Sequence, residues 1–127
     1  MLATSSKYYV HYQAPDTIYA VQQVIKAGGV PVLAHPRAGG RQRRVLSVDT
    51  ISQLKEAGLF ALEAFHPEQN PIEQAEISEI AKLLGLAVTG SSDYHGSGKP
   101  NQLGEYLTDP EIFAEICAKG AGRPVRA

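Results

Sequence analysis

Residues 30–36 read Val30-Pro31-Val32-Leu33-Ala34-His35-Pro36, and the fold turns on them. Five apolar residues in a row, stopping at a histidine and a proline, describe a short strand buried on both faces, the kind found in parallel sheets. Before it, Pro15 and Asp16 open a helix with Ile18, Val21, Val24 and Ile25 expected inward, closed by Gly28-Gly29. After it, the stretch from Arg37 to Arg44 holds two glycines and four arginines and reads as a loop. Ser47 or Asp49 then caps a second helix, with Ile51, Leu54 and Ala57 inward and Gly58 as its stop. Residues 59–65 form a second apolar strand, ending at His66-Pro67. A third helix starts near Pro71, is expected to bury Ile72, Ala75, Ile77, Ile80, Leu83 and Leu84, and stops at Gly85. Residues 86–90 make a third strand that runs into Ser91-Ser92-Asp93-Tyr94-His95-Gly96. A last helix covers residues 110–119, and residues 120–127 read as a frayed tail. Helices alternating with doubly apolar strands predict an α/β fold with a parallel sheet. A single domain piece over residues 1–127 is the simplest organisation.

Composition narrows the functional classes. The chain has 127 residues, 43% of them hydrophobic, which suits a globular domain and not a disordered one. Twelve basic and 13 acidic side chains leave a net charge of −1, so no global attraction to nucleic acid or an anionic membrane is expected. Cys117 is the single cysteine and cannot form an internal disulfide, which favours a reducing, cytoplasmic setting. The start, Met1 to Tyr9, lacks the apolar core of a signal peptide. No apolar run approaches the ~20 residues that span a bilayer, so no membrane association is expected.

The chemistry collects where the strands end. His35, His66 and the pair Asp93/His95 each fall just past the C-terminal end of a predicted strand. That edge of a parallel sheet is where ligands and catalytic groups gather. In an extended segment, residues two apart point the same way, so Asp93 and His95 can face one ion or two adjacent ions. Aspartate with neutral imidazole suits zinc, manganese or iron. The competing reading is a polar turn with a solvated Asp and His. His35 is a ligand candidate, or else a hydrogen-bonded strand-end residue whose exit is fixed by Pro36. His66 is either a pocket residue or simply exposed. Glu63 alternates with Phe65 and either faces the same pocket or pairs within the strand. His11 lies in a tyrosine-rich start with no evident partner. Arg37, Arg41, Arg43 and Arg44 follow the first of these histidines, and guanidinium forks match phosphate oxygens. Lys99, after Gly96-Ser97-Gly98, presents another cation on a flexible loop. Solvated surface positions are the alternative for each. No Walker loop, dinucleotide fingerprint or Ser-His-Asp nucleophile arrangement stands out.

Ala27-Gly28-Gly29-Val30-Pro31-Val32-Leu33-Ala34-His35-Pro36, then Gly58-Leu59 and Glu63, then Thr89-Gly90-Ser91-Ser92-Asp93-Tyr94-His95-Gly96, together resemble the second half of the polymerase-and-histidinol-phosphatase family. The likeness is greatest to its bacterial nucleoside 3′,5′-bisphosphate phosphatases and 5′-to-3′ exoribonucleases, and covers about residues 8–116. It implies the C-terminal portion of a distorted seven-stranded TIM-like barrel with divalent metal ions (Mn, Zn or Fe) at the strand ends. His35, Asp93 and His95 map to the later metal ligands, with Asp93 and His95 in the catalytic centre. Arg37 maps to a phosphate contact, with Lys99 and His66 as further substrate-side candidates. The implied reaction is hydrolysis of phosphomonoesters or of nucleotide and RNA ends by a metal-activated water. The family's opening His-x-His pair does not occur in this sequence. The chain is therefore expected to carry part of the site, to have little activity alone, and to self-associate through exposed barrel edges. The alternatives are a truncated, non-catalytic metal-binding or interaction domain and a metal hydrolase of amidohydrolase type.

Overall fold

The computed structural model describes residues 7–8, 10, 14–38 and 45–122. His11, Arg41, Arg43, Arg44 and the tail beyond residue 122 lie outside them. Four α-helices and three strands follow one another in the order the sequence predicts: α1 (Thr17–Lys26), β1 (Val32–Leu33), α2 (Val48–Glu56), β2 (Ala61–Phe65), α3 (Pro71–Leu84), β3 (Ala87–Gly90) and α4 (Pro110–Lys119). The strands form one parallel sheet in the order β1-β2-β3.

Each helix begins on a side-chain cap that satisfies its first amides. Asp16 accepts from Ile18 and Tyr19, Ser47 from Thr50, and Asp109 from Glu111. Asn70 and Glu73 form a reciprocal capping box at the start of α3. The helix ends explain why the strands are shorter than residues 30–34, 59–65 and 86–90. Leu59 N–H returns to Leu54 O and Leu86 N–H to Ala81 O, both at 2.9 Å, closing helix ends around left-handed Gly58 and Gly85. The first residue of the second and of the third predicted strand is therefore taken up in closing the preceding helix. In β1 the proline shortens the ladder: Pro31 has no N–H, and only its carbonyl takes part, accepting from Phe60 at 3.0 Å.

The core lies between the sheet and α2 and α3. Ile51, Leu54, Leu62, Ala64, Ile77 and Ala81 are buried together, with Val21 reaching in from α1. On α3 the inward stripe is Ile77, Ile80, Ala81 and partly Leu84, the spacing of one helical face. Ile72 and Leu83, expected inside, are 80% and 74% exposed, and Ala75 is exposed as well. At ~100° per residue they fall on the far side of the helix from Ile77. Val24 and Ile25 of α1 also differ from expectation: both are exposed, and only Val21 of that helix is buried. Ala57 is half-buried and packs against the core as anticipated.

Candidate functional site

Three strand ends meet at the C-terminal edge of the sheet, and β2 supplies the middle of the site. Glu63 is within β2, and its carboxylate accepts the main-chain N–H of His35 at 3.1 Å, tying the end of β1 to the neighbouring strand. His35 adopts φ +30°, a conformation that costs a non-glycine residue energy and that concentrates at functional positions. Its ring lies 4.6 Å from the ring of His66, centroid to centroid, tilted by 41°. His35, Glu63 and His66 bring one donor atom each to within 4.8 Å of one another.

His66 is 2% exposed. The main-chain N–H of Glu68 donates to its Nδ1 at 3.1 Å, and its Nε2 lies 3.8 Å from Asp93 Oδ2. Burial, the largest influence, pushes its pKa below 6.5, so the ring is neutral at neutral pH.

Asp93 follows β3 and is the second strained residue of the site, at φ +47°. Its carboxylate is bonded by the Lys99 ammonium, and this hydrogen bond is the main influence holding its pKa below the ordinary aspartate value. His95 Nδ1 donates to the Asp93 carbonyl at 2.7 Å and stands 3.4 Å from Oδ1. The segment is not the extended Asp-x-His expected, because Asp93 is left-handed and His95 has φ −129° and ψ 33°. The imidazole and the carboxylate are side by side all the same, brought together by the bend of the loop and not by an extended backbone. His95 is exposed at the rim, outside the three-residue cluster. The loop is fastened from below: Ser92 Oγ donates to Tyr106 O and accepts from Tyr106 N–H, and Asn101 donates to the carbonyls of Ser92 and Asp93.

Arg37 is buried, with Nε and Nη2 donating to Glu76 Oε1 at 3.2 and 3.0 Å and Nη1 to Leu46 O at 2.8 Å. Gln69, which sequence reasoning passed over, is equally buried and knits the site together. Its carbonyl accepts Arg37 N–H, and its amide donates to Glu63 O and Ala64 O. A lone glutamine after His-Pro-Glu carries no local signal; its role comes from joining Arg37, 32 residues back in the chain, to the carbonyls of Glu63 and Ala64. Glu63 had a signal, its alternation with Phe65, but the cluster became visible only once β1 and β2 were paired.

Two neutral-capable imidazoles and a carboxylate, converging at a sheet edge, fit a divalent transition metal. The molecule is thus, by fold and site, a parallel α/β protein with a metal-binding sheet edge. No family model matches the chain. It is 40% identical over 81 residues to the phosphoribosyl 1,2-cyclic phosphate 1,2-diphosphodiesterase of Eggerthella lenta, a match over 64% of this chain and 29% of that protein. A solved structure from Bifidobacterium adolescentis, assigned as a metal-dependent phosphoesterase, is 40% identical with a TM-score of 0.85, over 94% of this chain and 42% of that one. An amidohydrolase structure from Chromobacterium violaceum, with bound sulfate and no metal, is 25% identical with a TM-score of 0.66, over 92% of this chain and 42% of that one. The chain spans less than half the length of each of these relatives. Over 94% of its length the chain is similar to part of the Bifidobacterium adolescentis structure, in keeping with the family resemblance of its motifs.

Proposed function

We propose that this chain forms the C-terminal portion of a TIM-like barrel and contributes one side of a metal-dependent phosphoesterase site. The observation that carries the reading is the convergence of His35, Glu63 and His66 beside Asp93, in a chain similar to such enzymes. His35, Glu63 and His66, with Asp93 and His95 beside them, are the residues toward a divalent ion (manganese, zinc or iron). When bound, that ion supplies Lewis acidity toward the phosphoryl group and lowers the pKa of water. Asp93 and His95 stand as the catalytic pair. Lys99 and Arg37 are the phosphate-side cations of the reading, and both meet a phosphate only by exchanging partners: the Lys99 ammonium is bonded to the Asp93 carboxylate, and the buried Arg37 guanidinium donates to Glu76 and Leu46 O.

The substrate class is a phosphorylated small molecule, or the phosphate of a nucleotide or RNA end. The name of the Eggerthella lenta relative adds sugar cyclic phosphodiesters to that class, and the sulfate held by the Chromobacterium violaceum relative is a tetrahedral oxyanion of similar shape. A cytoplasmic location fits the single exposed Cys117. Among the described residues no helix is long and apolar enough to cross a membrane.

A second reading, a non-catalytic metal-binding module that works through association, is favoured by the exposed apolar residues Val24, Ile25 and Phe113. Metal titration of the purified chain separates the readings when it is coupled to turnover on nucleotide bisphosphates, cyclic phosphodiesters and C–N substrates. We expect zinc or manganese binding that His35→Ala and Glu63→Ala each weaken at least about tenfold, with little turnover by the chain alone. Unchanged metal affinity in both variants would remove the cluster from the proposal. Turnover that Asp93→Ala abolishes would show that the chain suffices as an enzyme.

A further inference from the structure

The loop that carries Asp93 is gripped along its length by the segment that follows it. Residues 99–108 turn back on residues 90–93 and meet them rung by rung, each time through a side chain. Thr108 Oγ1 accepts from Gly90 N–H at 3.1 Å and donates to Gly90 O at 2.9 Å. Ser92 Oγ holds the main chain of Tyr106. The two segments lie so close that a Cβ at Gly90 would stand 2.5 Å from Leu107 O, and any side chain there would push the strap away. The last rungs fall on Asp93 itself. Lys99 bonds its carboxylate, and Asn101 Nδ2 donates to the carbonyls of Ser92 and Asp93 at 3.0 and 3.3 Å. Lys99 is extended and Pro100 follows it; residues two apart in such a segment face the same way, so both side chains reach one residue.

The two grips on Asp93 differ in permanence. The Lys99 ammonium must leave the carboxylate to meet a phosphate, whereas the Asn101 bonds are to the main chain and leave the carboxylate untouched. Carbonyl oxygens only accept, so the Asn101 amide faces them with its nitrogen. These carbonyls belong to the peptide planes on either side of Asp93, and their directions follow its φ and ψ. In extended backbone successive carbonyls point to opposite sides. Here they converge on one amide because Asp93 is left-handed, at φ +47°. A non-glycine residue stays in that region only where its surroundings over-determine it. We infer that Asn101 is the positioning residue of the site. It holds Asp93 in the strained conformation that sets Oδ2 at 3.8 Å from His66 Nε2, and it keeps that hold when Lys99 lets go. The inference rests on the phosphoesterase reading above, and Asn101 acts through Asp93 alone.

Backbone NMR of the metal-free chain reports the sign of φ at Asp93 through its own HN–Hα NOE, and zinc titration reports the site. Asn101→Leu and Asn101→Ala lose the donor without adding charge. Both should lose the left-handed signature of Asp93 and weaken zinc about ten- to a hundredfold, the usual effect of removing a residue that orients a metal ligand. Lys99→Met should keep Asp93 left-handed. Thr108→Val breaks the rung at Gly90, three residues before Asp93; it should lower the urea midpoint yet keep zinc affinity within about threefold. A left-handed Asp93 in both Asn101 variants, or zinc affinity within about threefold of the parent in both, would overturn the inference. So would release of Asp93 by Lys99→Met, or a fall in zinc affinity of about tenfold in Thr108→Val, since the strap would then act as a whole. If the unsubstituted chain binds no zinc, the metal-dependent reading fails, and the NMR comparison still decides whether Asn101 holds Asp93.

Discussion

The middle of the molecule and its two flanks are built to different degrees of closure. Around β2, the faces of sheet and helix are sealed: Leu62, Ala61, Ala64, Ile51 and Ile77 have no exposed surface. On the β1 side, Val24, Ile25 and Val32 are exposed, and a groove of about 440 Å³ runs between α1 and β1, lined by residues such as Val21, Val24, Val30 and Leu33. On the β3 side, Phe65, Leu107 and Phe113 are exposed around a second cleft of about 570 Å³, and α4 buries no residue fully. Parallel strands are normally covered on both faces. The contrast teaches that the centre holds the fold together, while the flanks carry apolar surface of the kind that associates with something else. The site bridges the two regimes: Glu63 and His66 come from the closed centre, His35 and Asp93 from the ends of the outer strands.

The sharpest way to break this comparison is to remove the same kind of atoms from each region. Leu62→Ala should cost about 2–5 kcal/mol, because the sealed centre leaves a cavity. Leu83→Ala, on the exposed face of α3, should stay within about 0.5 kcal/mol. Urea denaturation of both variants checks this, and equal losses would mean that the centre is no better packed than the surface. Gln69→Leu tests whether the site is fastened to the centre. It removes the partner of Arg37 N–H and of the Glu63 and Ala64 carbonyls, and should cost about 1–3 kcal/mol. A neutral effect in the same assay would make the glutamine dispensable.

The smallest expected effect is a pH dependence. His66 has its folded pKa below 6.5, so between that lowered value and 6.5 the unfolded chain binds more protons than the folded one. Stability should therefore rise with pH through this window and fall as the solution is acidified below about 6.5, since a proton must enter a buried ring. Thermal melts from pH 5 to 7.5 should show that slope in the parent chain and a flatter one in His66→Gln. A slope unchanged by the substitution would place the titrating group elsewhere.

Much of this was legible without coordinates, and the reasons are local. The helix starts at Asp16, Ser47 and Pro71, and the glycines at 58 and 85, act within a few residues of themselves, so helix bounds followed closely. Strand starts were misjudged by one or two residues because Leu59 and Leu86 belong to helix-ending bonds that a run of apolar residues does not reveal. The buried face of α3 was drawn too wide, since Ile72 and Leu83 are as apolar as Ile77 and only geometry decides which side meets the sheet. At the site, His35, His66, Asp93 and His95 were all visible as strand-end residues. Their grouping was not.

By itself, then, the sequence determined the alternation of helices and strands, the parallel sheet and the edge at which chemistry would collect, because periodicity, capping and strand termination are short-range properties of the chain. Only the tertiary structure decided which side chains meet. Pairing β1 with β2 joined His35 to Glu63 across 28 positions, the bend at a left-handed Asp93 set His95 at the exposed rim beside its carboxylate, and burial made His66 a neutral ring between His35 and Asp93. Those outcomes depend on strand register and desolvation, which belong to distant residues brought together and to no stretch of the chain alone.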